Sequence, residues 1–267
     1  MDNQEILLEH EVRAAFQKIH ARIEAGTVTT NYLLGGKLGL VLYYFSLYEG
    51  LDEADHANKC LELLDEVMNQ EEDEPAPLAG TSFASGTAGL GYILSLLQRS
   101  ELAEIDLQED LKELDASMAA AALKQITEED RNDYLHGAMG VVHYFTTRSK
   151  EPIIRQYLEI LVTAFCNKAV VSGKGLWFRN FIIDKKEKER IDTGLSHGNA
   201  GFLLILLNIW EAGVLKEKLT DVISKGIEFL ISQQMKTNPE EEQHAFFPFS
   251  VNATDHNDIY FSQRLAW

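Results

Sequence analysis

The chain carries one motif four times, Gly-x-x-Gly followed at once by an apolar run: Gly36-Lys37-Leu38-Gly39, Gly86-Thr87-Ala88-Gly89, Gly137-Ala138-Met139-Gly140 and Gly198-Asn199-Ala200-Gly201. The first glycines stand 50, 51 and 61 residues apart, which is a repeat period. Two glycines three residues apart share one face of a helix's first turn. With no Cβ there, another backbone or a ligand can approach closely. Four helix starts of one design are thereby directed at a common centre.

The runs after the motifs, such as Leu90-Gly91-Tyr92-Ile93-Leu94-Ser95-Leu96-Leu97 and Phe202-Leu203-Leu204-Ile205-Leu206-Leu207, are apolar nearly all round, as helices buried on every side must be. None reaches the roughly 20 apolar residues of a membrane span. Between them lie amphipathic segments over Gln4 to Ala25, Glu53 to Asn69, Leu107 to Leu123, Pro152 to Asn167 and Lys216 to Gln234, which read as an outer layer. The unit is an outer helix, a turn and an inner helix opening with the motif. Repeated around an axis it gives an all-α fold, an α/α toroid, whose inner N-termini surround one pocket. A stacked α-solenoid is the alternative, although it leaves one layer wet.

A chain of 267 residues without a Pro- or Gly-rich linker reads as one domain spanning 1–267. A short β-hairpin insertion is expected around 175–191, with Leu176-Trp177-Phe178 and Phe181-Ile182-Ile183 as strands flanking the mixed-charge run Asp184 to Arg190; it accounts for the longest repeat spacing. The stretch Thr237 to Glu242 is expected to end the last outer helix and open a long loop. The first residues, Met1-Asp2-Asn3-Gln4-Glu5, do not read as a signal peptide, and cytoplasm is the expected compartment. Cys60 and Cys166 lie far apart on outer-helix patterns, which predicts buried structural thiols and no disulfide framework. A net charge of −18 argues against nucleic acid and anionic membrane surfaces as partners and permits basic peptides.

Few polar groups near the motifs are unexplained by the inner-helix pattern. Asp133 stands four residues before Gly137, and His197 directly before Gly198; both project from inner-helix mouths. Asp133 reads equally well as an N-cap over Tyr134 and Leu135, and His197 as a hydrogen-bonded core group. An imidazole and a carboxylate in one pocket are also what proton transfer near neutral pH requires.

The phrases Gly194-Leu195-Ser196-His197-Gly198-Asn199-Ala200-Gly201, Ser82-Phe83-Ala84-Ser85-Gly86-Thr87-Ala88-Gly89 and Ser262-Gln263-Arg264-Leu265-Ala266-Trp267 resemble those of the lanthionine synthetase C-like (LanC-like) cyclases. The resemblance runs over essentially the whole chain and covers roughly the first four of the family's repeats. In the family, a phrase like Arg264-Leu265-Ala266-Trp267 is followed directly by Cys-Tyr-Gly, whose cysteine is a zinc ligand, and a later Cys-His-Gly supplies the other two. The resemblance therefore implies the N-terminal part of a cyclase, Zn²⁺ as the family's cofactor, and a chain inactive by itself.

What the resemblance implies chemically is thioether ring closure: a cysteine of a ribosomal precursor peptide adds to dehydroalanine or dehydrobutyrine, made by a partner dehydratase. By motif position His197 is the proton-transfer residue, Asp133 the carboxylate that sets its charge and orientation, and Arg264 the cation beside the enolate, with Ser196 and Trp267 lining the substrate pocket. Two other readings stay open. One is a peptide- or partner-binding module without chemistry. The other is an α/α-toroid carbohydrate hydrolase, which calls for two carboxylates flanking the pocket.

Overall fold

The computed structural model describes residues 3–69, 78–181, 190–237, 245–255 and 258–260, with side chains from residue 11 onward. Four inner helices each begin inside a Gly-x-x-Gly motif: α2 (Lys37–Leu51), α4 (Thr87–Arg99), α7 (Ala138–Thr146) and α9 (Asn199–Glu211). They pack in sequence order, α2 on α4, α4 on α7, and α7 on α9. The outer layer is α1 (Asn3–Glu24), α3 (Ala54–Met68), α6 (Lys112–Lys124), α8 (Pro152–Cys166) and α10 (Lys216–Ser232), with a one-turn α5 (Leu107–Asp110) ahead of α6. The result is the expected α/α toroid in incomplete form, among the described residues an arc of four inner helices backed by the outer layer. Among the described residues no helix is long and apolar enough to cross a membrane.

The glycines are required for space. Gly36, Gly86, Gly137 and Gly198 are extended N-caps with φ between −121° and −139°, a conformation open to any residue. A Cβ on any of them would strike the backbone of the loop four to six residues earlier. The second glycine of each motif, at 39, 89, 140 and 201, would drive its Cβ into the carbonyl oxygen of the residue six before it: Leu33, Phe83, Tyr134 or Leu195. What approaches is thus each repeat's own loop, joined by the preceding repeat, since Leu33 Cβ lies 3.2 Å from the Cβ position at Gly89 and Phe83 Cβ 2.7 Å from that at Gly140. Because a loop carbonyl cannot yield as a side-chain tip can, Gly201→Ala is expected to cost about 3 kcal/mol or more in denaturant unfolding. An alanine variant as stable as the parent would contradict this packing.

The core is continuous from Leu38 and Val41 on α2 through Ile93 and Leu97 on α4 to Phe145 on α7 and Phe202 and Ile209 on α9. Burial on every side does not hold for α9, where Leu204 and Leu207 stay 48% and 37% exposed and form an open apolar stripe.

Of the hairpin strands expected around 175–191, Leu176 and Trp177 lie in a strand, whereas Ile182 and Ile183 lie outside the described residues. β1 (Val170–Ser172) pairs antiparallel with β2 (Gly175–Trp177) across Gly173-Lys174, so Leu176 and Trp177 meet Val171 and Val170. The two-residue turn at Gly173 is the nearer punctuation. β3 (Arg190–Asp192) joins a separate sheet with β4 (Ser250–Asn252) and β5 (Ile259–Tyr260). Residues 182–189 and 238–244, holding most of the charged run and of the long loop, lie outside the described residues.

Candidate functional site

The third and fourth repeats bring Asp133 and His197 together at the mouths of α7 and α9. His197 Nδ1 lies 2.8 Å from Asp133 Oδ2, with side chains 20% and 2% exposed. Asp133 reaches this position from a loop that follows a π-helical turn (Gln125–Glu129) and the left-handed Asp130. Its two oxygens have separate sets of partners. Oδ1 caps its own turn, accepting from the N–H groups of Leu135 at 2.9 Å and His136 at 2.8 Å. Oδ2 accepts from His197 and from the Asn180 amide at 3.0 Å. A carboxylate that is 1% exposed and committed to four donors suits a positioning group better than the solvent-facing acid of a hydrolase.

The hydrogen bond to Asp133 is the largest cause lifting the His197 pKa above the ordinary histidine value. Partial burial opposes it, and the charges of Asp133 and Asp192 add to the rise. His143, on α7, shows the reverse: burial among Phe83, Tyr92 and Tyr134 pushes it down to about 4. Of the two, the Asp133 hydrogen bond favours the protonated form of His197, whereas burial disfavours it in His143.

Ser196 is half-buried beside His197 on the same loop, while Arg264 and Trp267 lie outside the described residues. Three further residues belong to the site. His136 stacks on His197, ring centroids 5.9 Å apart and planes 13° from parallel. It occupies the same place before the third motif as His197 before the fourth, so alignment of the repeats could have found it. Asn199, inside the fourth motif, clamps the backbone of Phe178 through Oδ1 at 2.7 Å and Nδ2 at 3.1 Å. Asn180 sits in a stretch with no motif, and nothing in the sequence marks it.

A zinc ion would need convergent ligands and an easily ionised thiol. Among the described residues no three His, Cys, Asp or Glu groups come together in a way that could hold a metal. Cys60 and Cys166 are buried on separate outer helices, and burial pushes each thiol up to about 11. The described residues do not fit zinc. The 267-residue chain, purified without chelator, is expected to carry no stoichiometric zinc by elemental analysis; one tightly held ion per chain would contradict this.

Fold and site together define an α/α-toroid protein with a histidine–aspartate pair at its inner-helix mouths. A family model described as lanthionine synthetase C-like protein matches residues 27–259, and the chain belongs to that family. Thirteen chains of solved structures are also similar. One of them, nisin cyclase, is 15% identical with a TM-score of 0.65, over 96% of this chain and 66% of that one. At that identity the likeness shows the fold, and this chain spans 66% of the length of that cyclase. No curated protein sequence matches significantly.

Proposed function

We propose that this chain acts in lanthipeptide biosynthesis, in thioether ring closure on a ribosomal precursor peptide, with His197 transferring the proton and Asp133 fixing its charge and orientation. The observation that carries this reading is the 2.8 Å contact between His197 Nδ1 and Asp133 Oδ2 in a chain of this family. The fold shared with a protein named nisin cyclase supports it. A cysteine thiolate adds to the β-carbon of dehydroalanine or dehydrobutyrine, and the electron pair displaced from the double bond forms an enolate. The α-carbon must then take a proton. With Nδ1–H held by Asp133, the His197 imidazolium gives that proton from Nε2 and is recharged by the one the thiol released.

Arg264 is the cation proposed beside the enolate oxygen, and Ser196 and Trp267 are the proposed pocket lining. A dehydratase is the proposed source of the substrate, and cytoplasm the proposed compartment. The test supplies the family's zinc-ligand segment in trans, with Zn²⁺ and a dehydrated cysteine-containing peptide. Ring closure is read by mass spectrometry as loss of the alkylatable thiol. Closure is expected; peptide binding without closure would favour the binding-module reading, and neither would sink both.

A further inference from the structure

The arc is stitched by a repeated backbone bond. The N–H of Leu34 donates to the carbonyl of Ala84 at 2.9 Å, and the N–H of Ala84 donates to the carbonyl of Leu135 at 2.9 Å. Each of these residues stands two before the first glycine of its motif. At the third junction the pattern changes, because the Leu135 N–H donates to Asp133 Oδ1. Besides the direct His197–Asp133 contact, this junction is bridged by a side chain from neither loop. Asn180 Nδ2 donates to Asp133 Oδ2 at 3.0 Å and to the His197 carbonyl at 2.8 Å.

We propose that Asn180 is a positioning residue that sets the spacing and orientation of Asp133 and His197 by bridging the third and fourth repeat loops where the other junctions use a backbone bond. Both of its partners are acceptors, so only the NH₂ end of the amide fits between them. Among the described residues its Oδ1 is buried without a partner. A buried acceptor with no donor is unfavourable, and the amide is held there for its donors alone. The segment that carries it is itself pinned. The Phe181 N–H donates to the Asp130 carbonyl at 2.9 Å, Asn132 Nδ2 donates to the Arg179 carbonyl at 2.8 Å, and Asn199 clamps Phe178. Without Asn180, Asp133 Oδ1 still caps the third loop, but the fourth loop is left with the His197–Asp133 contact alone, and that contact loosens.

The functional meaning of this bridge rests on the proton-transfer reading of His197, whereas its test does not need the reaction. Among the described residues, the charged or titratable groups facing His197 include Asp133 and Asp192, with His136 stacked on the ring. Titration of the His197 ring signals by NMR in the 267-residue chain should place its midpoint above the ordinary value in the parent. Asn180→Ala, with helical content and cooperative melting retained, should move that midpoint down by about half a unit or more, towards the value in Asp133→Asn. Asn180→Ser, which keeps one donor, should fall between. An unchanged midpoint overturns the proposal. So does a raised one, since the His197–Asp133 contact would then survive and the amide would only have been drawing charge from the carboxylate. Where Asn180→Ala does not fold, Asn180→Ser is read; failure of both would make Asn180 purely structural and overturn the positioning role. Loss of cyclisation in the parent assay with the NMR shift intact would sink the proposed function and leave this bridge standing.

Discussion

Replacing His197 with alanine is expected to slow ring closure by about 10²–10⁴-fold, the usual contribution of a general acid. Zinc content of the assembled enzyme should not change, because in the proposed mechanism the imidazole acts on the enolate, and Asp133 holds it through Nδ1. The pH dependence has a defined sign. In the proposed mechanism His197 works as the imidazolium, and the Asp133 hydrogen bond raises its pKa in the folded chain. Activity should therefore hold through the ordinary histidine range and fall as pH rises through the elevated value. The same pair stabilises the fold fully below the ordinary pKa and loses that contribution over the same rise. Asp133→Asn should move the falling limb to lower pH, since a neutral amide cannot hold a neighbouring cation. A time course of thiol alkylation at several pH values measures both effects. If His197→Ala loses zinc and activity together, the histidine is a ligand or a structural group.

Much of the fold was legible because it is written in periodicities that burial enforces locally. Amphipathic spacing placed α8 and α10 within a few residues of their observed bounds, and the glycine motifs located all four inner-helix starts. Asp133 and His197 were legible only through their place relative to those motifs, and the two readings of Asp133 proved compatible because a carboxylate has two oxygens. The pairing of β3 with β4, some 60 residues on, was not legible, because strand pairing depends on which partner the chain reaches. Asn180 was illegible for the same kind of reason. Its role comes from three-dimensional adjacency to a loop 47 residues earlier, and an isolated asparagine carries no periodic signal.

Asp115 gives the sharpest case of a residue whose sequence context misleads, and it carries the largest expected effect on stability. In Lys112-Glu113-Leu114-Asp115 it reads as one more charge on an outer-helix face, yet its side chain is only 4% exposed. Oδ2 accepts from Arg148 Nη1 at 2.6 Å and Oδ1 from the Tyr144 hydroxyl at 2.8 Å. Arg148 also forks onto Glu151 at 2.6 and 2.7 Å and donates to the Leu107 carbonyl at 3.1 Å, so one guanidinium ties α5, α6 and α7 to the start of α8. Burial raises the Asp115 pKa in spite of Tyr144 and Arg148, which both lower it; desolvation thus outweighs the compensation that the cation provides. Removing that cation leaves a buried charge without its partner, and Arg148→Ala is expected to destabilise the chain by about 3–5 kcal/mol. The deficit should shrink as pH falls, because a protonated Asp115 no longer needs the cation. Arg148→Ala combined with Asp115→Leu should recover part of the loss, since a buried ion pair replaced as a pair costs little. Urea unfolding of the single and double variants at two pH values decides it: a single-variant loss below about 1 kcal/mol, or full additivity, would show that water already compensates the pair.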